Sequence, residues 1–288
     1  MDTSPLVFPL AVAAIAAAAL WGADSGLSQP LLFAFVLPVA YAIIGVAERM
    51  RPYRREWTRP QGDVGTDVAH LVFTGMLTNE LVRVSIYGGA FTAAAWLADH
   101  TGGGLWPRQW PLLAQLGLAL LVAEFGHYWF HRLSHERPLI WRVHATHHSP
   151  ARLYWLNATR FHPIDLFALI ALQTAPLILL GADARALTAY GLFSAAYGQL
   201  QHANVALDSG PLRWVFSTPE LHRWHHSTIP AEGNANYGAV LSTWDLLFGT
   251  YLWPRHRTFI GPVGLHALPD FPRGYVGQLL SPFRWPAG

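Results

Sequence analysis

The chain has 288 residues, of which 52% are apolar and only 12% charged, with a formal net charge of +2 at pH 7. Soluble domains carry roughly 25% charged residues, so the balance points to a membrane, and the small charge excludes a nucleic-acid surface. Cysteine is absent, which removes disulfides, zinc fingers, iron–sulfur clusters and thiolate-ligated haem. Lysine is absent too, which excludes a Schiff-base lysine and the lysine of a Walker phosphate loop.

About 30 Å of hydrocarbon needs roughly 20 apolar residues, and six stretches approach this: 6–21, 30–47, 68–98, 111–130, 164–180 and 184–200. The opening stretch has Asp2 and no basic residue before it, so it reads as a retained helix rather than a cleaved signal. The third is long for one span, short for two, and carries Glu80 and Arg83. The turn Gly181-Ala182-Asp183 makes the last two a helical hairpin. No internal repeat or linker is evident. The expected fold is all-α, a polytopic membrane helical bundle with a histidine-rich helical cap on its cytoplasmic face. Residues 1–110 hold the N-terminal membrane helices and an arginine-rich loop, 111–255 the histidine-rich domain, and 256–288 a tail.

All 19 basic residues are arginines. Six spans put three regions on one side: 48–66 with five arginines, 131–163 with five, and everything after Gln201 with six. Only Arg108 and Arg185 fall opposite. The positive-inside rule makes the arginine-rich side cytoplasmic, with both termini on it. The same parity brings every histidine-rich segment to that face.

Of fifteen histidines, nine lie in two windows, 127–148 and 222–226. His127, His131 and His135 repeat every four residues, and His144/His147/His148 and His222/His225/His226 share the pattern H-x-x-H-H. On a helix each set aims its imidazoles at one point, and neutral imidazole is the commonest metal ligand. Clustered histidines without a metal would repel when protonated and be costly when buried. His131, His135, His144, His147, His148, His222, His225 and His226 make eight ligands, too many for one ion, so two metals are expected. Such a nitrogen-rich set suits iron, copper, nickel or zinc. His70, His100, His256 and His266 stand alone and read as ordinary histidines.

The run Glu124-Phe-Gly-His127-Tyr-Trp-Phe-His131-Arg-Leu-Ser-His135, the two H-x-x-H-H boxes, Asn236-Tyr237-Gly238 and Trp244–Thr250 together resemble the fatty acid hydroxylase/sterol desaturase superfamily over residues 117–251. The resemblance implies a membrane di-iron oxygenase that hydroxylates or desaturates a fatty acyl, sterol or other isoprenoid lipid. It implies two iron ions, which zinc can replace during purification, O2 as co-substrate, and an external electron donor of cytochrome b5-like or ferredoxin-like kind. It adds His202 to the ligands, with His127 and His162 as further candidates. The compartment expected is a bacterial inner membrane, with the metal site cytoplasmic.

Imidazole ligands need acceptors for their second N–H; Glu124, Asp165, Asn204, Glu220 and Asp245 are candidates. Arg132 and Arg223, beside the boxes, read as a solvated face. Trp129, Trp141, Trp155, Trp224 and Trp244 read as packing and interfacial anchors. Other readings remain: a metal-binding protein or transporter, which would place ligands near mid-membrane on broken helices, a bis-histidine haem carrier, and a zinc hydrolase using metal-bound water.

Overall fold

A computed structural model describes residues 5–101, 103–255, 258–265 and 267–285. The fold is all-helical. α1 (Val7–Asp24), α2 (Gln29–Met50), α3 (Val64–Thr101) and α4 (Leu112–Glu136) are each long and apolar enough to cross a membrane. Their outer faces carry large apolar side chains such as Phe35, Met76 and Val84, all more than half exposed. That exposure suits lipid, since no water-soluble surface would leave so many together.

The ambiguous third stretch is one unbroken helix. At 38 residues α3 is about 57 Å long, well beyond a bilayer core. Its N-terminal part lies in the cap instead. There Thr66 donates to the carbonyl of Arg273, and His70 Nε2 meets Gln278 Oε1 at 2.9 Å. Further along, Glu80 and Arg83 pair at 2.7 Å, one turn apart.

α5 (Pro138–His148) follows α4 directly and turns into the cap. α6 (Pro163–Leu179) is apolar but only 17 residues long. It begins where proline sits in the first turn and the His162 ring accepts from the amide of Ile164. α7 (Ala184–His202) starts on an Asp183 cap that accepts from Ala186 N at 2.9 Å. The sequence led us to expect a sixth span here, but α7 is not among the helices apolar enough to cross alone. It packs against α1, α2 and α4, burying Thr188, Gln199 and Gln201. A helix surrounded by protein has no need of a continuous apolar face.

The core lies between Leu116, Ala119 and Ala123 of α4 and Ala189, Phe193 and Tyr197 of α7, closed by Phe8 and Leu32. Small residues let backbones approach, most of all where α4 crosses α6. A Cβ on Gly126 would lie 2.6 Å from the Leu172 carbonyl oxygen. Gly126→Ala is therefore expected to force the two helices apart and cost about 1–3 kcal/mol. Thermal unfolding in detergent, beside the roomy control Gly117→Ala, checks it.

The cap is fastened by buried charges. The Glu48 carboxylate, at the end of α2, accepts from Trp155 N and Asn204 N, both at 2.7 Å. Arg152 pairs with Asp63 and Arg160 with Asp67, each at 2.6 Å. These contacts fix both chain segments that lead from the histidine boxes back to the bundle.

Candidate metal centre

The C-terminal turns of α4 supply His131 and His135, α5 supplies His144, His147 and His148, and the last residue of α7 is His202. α8 (Pro219–His225) and its cap residue complete the set with His222, His225 and His226. Thr218 starts α8 by accepting from Leu221 N, with Pro219 in the first turn. α6 departs from the same end, where its first-turn Asp165 meets His144. One end of the bundle thus gathers every box.

Among the described residues, nine imidazoles form two groups. His131, His135, His144, His148 and His225 make one; His147, His202, His222 and His226 make the other. Within each, one nitrogen per residue lies within 4.8 Å of all the others. Helical spacing explains the division: each i, i+4 pair stays together, and the third member of each H-x-x-H-H box crosses to the other group. The groups share a border, with the His148 and His226 rings stacked at 4.3 Å.

The donor set fits metal cations. The Nε2 atoms of His131, His144 and His225 are buried with no hydrogen-bond partner. His202 and His222 bring their Nε2 atoms to 2.8 Å, and His135 and His148 to 3.1 Å. Converging lone pairs of this kind call for a cation between them.

Burial, joined by neighbouring imidazoles, pushes His144, His147, His148, His222, His225 and His226 well below the ordinary histidine range. They are neutral at pH 7, the form that binds metal. Because the folded values lie below the unfolded value of 6.5, the unfolded chain takes up protons first as pH falls. Stability and metal retention should therefore be full above about pH 7 and decline progressively below about pH 6.5. Metal content after gel filtration at stepped pH checks this.

Acceptor oxygens orient the rings. His131 Nδ1 bonds the Tyr237 carbonyl at 2.7 Å and His225 Nδ1 that of Ala235 at 2.8 Å. His144 Nδ1 bonds Asp165 Oδ2 at 2.9 Å, His135 Nδ1 bonds Asn234 Oδ1 at 3.1 Å, and His202 Nδ1 bonds Asn157 Oδ1 at 3.0 Å. Of the five polar residues expected to orient the rings, Asp165 touches an imidazole directly. Asp245 acts one bond further out, its carboxylate taking the amides of Tyr237 and Gly238 at 2.8 Å. Burial lifts the Asp245 carboxyl to about 6 against the pull of Thr250 and those amides.

The other three bond elsewhere. Glu124 accepts from Ala239 N and Leu241 N, Asn204 joins Arg54, and Glu220 joins Ser209. Asn157, Asn234 and the carbonyls of Ala235 and Tyr237 escaped sequence reasoning. Only the Asn236-Tyr237-Gly238 run gave a signal, because a carbonyl has no sequence signature.

His127 and His162 lie outside both groups. His127 Nδ1 bonds Gln173 Nε2 at 2.9 Å, and His162 caps α6 while its Nε2 meets the Leu279 carbonyl. His70 is buried against Gln278 and Tyr275, and His100 is exposed. His256 and His266 lie outside the described residues.

Arg223 is not solvated: it is 2% exposed, donates to the Val205 carbonyl at 2.8 Å and lies over the Tyr53 ring. Its guanidinium joins the loop after α7 to the cap. Arg132 is partly exposed and pairs with Glu136 at 2.7 Å. Trp141 meets His135 edge-on, and Phe161 stacks on His147 at 4.1 Å, so aromatic rings wall both groups.

A model of the fatty acid hydroxylase family matches residues 116–250. The chain is 42% identical over 258 residues to ornithine lipid hydroxylase OlsE of Rhizobium tropici, covering 88% of this chain and 76% of that one. It is 31% identical over 168 residues to alkylglycerol monooxygenase of Danio rerio, 58% of this chain and 37% of that one. It is 25% identical over 146 residues to methylsterol monooxygenase 1 of Gallus gallus, 50% and 48% respectively. The chain spans less than half the length of these last two. No solved structure matches.

Proposed function

The chain belongs to the fatty acid hydroxylase family and is a membrane lipid hydroxylase, and from that premise we propose that its nine clustered histidines hold two iron ions and that its substrate is a membrane lipid of the ornithine-lipid kind. One observation carries the reading: two adjoining groups of buried imidazoles, with metal-facing nitrogens left unpartnered. The likeness to an ornithine lipid hydroxylase over most of both chains supports the lipid class. Iron held by these imidazoles would supply the redox chemistry that zinc lacks; in the overall hydroxylation one atom of O2 enters a C–H bond and the other leaves as water with two electrons and two protons from an external donor.

The chain's own residues do the rest. Neutral imidazoles bind the metals, and the Tyr237 and Ala235 carbonyls hold the Nδ1–H tautomers of His131 and His225. Asp245 keeps the 237–238 turn in place. Trp141 and Phe161 exclude water from the groups they cover. Because the groups sit where α4 and α7 end, a lipid held in the bilayer presents its polar end to them. Arginine asymmetry supports a cytoplasmic orientation in a bacterial inner membrane. Arg49, Arg55 and Arg59 line a surface hollow beyond α2 and suit an acidic donor of cytochrome b5-like or ferredoxin-like kind.

The test is lipid mass spectrometry of a bacterium that makes ornithine lipids, expressing the wild type or His147→Ala. The expected result is a lipid population heavier by one oxygen atom with the wild type alone. An unchanged profile with correctly folded, iron-loaded wild type and a working donor would overturn it.

A further inference from the structure

The two histidine groups differ in how firmly their rings are held. Resting on the metal-binding reading above, we propose that the five-imidazole group is the tight centre, which fills first, and the four-imidazole group the exchangeable one.

In the five-imidazole group, four rings have Nδ1 fastened to an oxygen: His131 to the Tyr237 carbonyl, His135 to Asn234, His144 to Asp165 and His225 to the Ala235 carbonyl. Each bond fixes tautomer and ring angle and leaves Nε2 as the free donor, so little ordering remains to be done when a cation arrives. One acceptor is a carboxylate. Asp165 is fully buried, its Oδ1 has no partner, and its Oδ2 bonds the His144 imidazole at 2.9 Å. A carboxylate behind an imidazole raises that ligand's basicity, and a buried anion offsets the charge the cation brings.

The four-imidazole group lacks these supports. His202 is held by the neutral amide of Asn157, and the His147 ring stacks on Phe161. The Nδ1 atoms of His222 and His226 are buried with no partner, and no carboxylate bonds a ring of this group among the described residues. Its rings meet one another instead, with His222 Nε2 between His202 and His226 at 2.8 and 3.0 Å. One fewer ligand, fewer fixed tautomers and no anion all act in the same direction. A single outer partner changes metal affinity by about 10–100-fold, so the two centres should differ by at least about tenfold.

The experiment titrates metal-free protein in detergent with cobalt(II), following visible absorption and heat. Two steps are expected, one ion each, the first at least about tenfold tighter. Asp165→Asn keeps an acceptor for His144 but removes the charge, and should weaken the first step about 10–100-fold while leaving the second unchanged. His226→Ala should abolish the second step and leave the first, and His225→Ala should weaken the first. A single step of two equivalent ions, or Asp165→Asn weakening the second step, overturns the asymmetry while leaving a dinuclear site. No cobalt bound by folded protein overturns the metal-binding reading itself. Should Asp165→Asn not fold, the His225 and His226 variants decide between the same outcomes.

Discussion

His225→Ala is expected to lower lipid hydroxylation at least about 100-fold, the upper edge of what loss of a mere outer partner costs, and to weaken the hold of the five-imidazole group on its metal. His225 is 0% exposed, its ring lies 4.5 Å from that of His131, and its Nδ1 is held by the Ala235 carbonyl. Three of the remaining rings, His131, His135 and His144, are fixed by their own Nδ1 hydrogen bonds and are not free to replace the lost donor. His162→Ala is the informative control. That ring caps α6 and lies outside both groups, so the change should cost about 1 kcal/mol of stability and leave two metals bound. Metal analysis and lipid turnover, measured on the same preparations, separate a ligand from a cap.

The second large effect is on stability. Asp67 is fully buried and takes Arg160 Nε and the Tyr154 hydroxyl, both at 2.6 Å. Asp67→Ala strands the Arg160 guanidinium, which is itself 3% exposed and already has an unpartnered Nη2. Breaking a buried pair from one side costs about 3–5 kcal/mol. The damage should spread to the four-imidazole group, because Arg160 precedes Phe161, whose ring stacks on His147. A large fall in the unfolding midpoint in detergent, with weaker metal retention, is expected. Asp67→Asn, which keeps both acceptor positions in part, should lie between the variant and the wild type.

Both effects reach through contacts that the sequence shows unequally. Regular repeats were legible: His131 and His135 at i, i+4, and two H-x-x-H-H boxes, announce converging rings before any fold is known. His202 is a single histidine at the end of α7 and joins the others only because a helix of the right length returns it to that end of the bundle. Orienting oxygens were the least legible. Asp165 was visible as a charge in an apolar stretch, whereas Asn157 and Asn234 are ordinary polar residues in short connecting segments. Glu124 and Asn204 look like outer partners by proximity in sequence, yet they hold backbone amides and Arg54.

The helices divide in the same way. α1, α2 and α4 follow from apolar length, but α7 was read as a sixth span and is not apolar enough to cross alone. Its buried glutamines show that protein, not lipid, surrounds it. Arg223 was misread for a related reason: charge beside a motif suggests solvent, while here two carbonyls and the Tyr53 ring replace water.

Metal quantification on intact protein, purified in detergent without chelators and paired with a protein mass measurement, bears most directly on the nine-histidine arrangement. Two metal ions per chain are expected for the wild type, falling to one in His226→Ala with the fold retained. Fewer than two ions in folded, metal-saturated wild type would contradict a dinuclear centre built from these imidazoles.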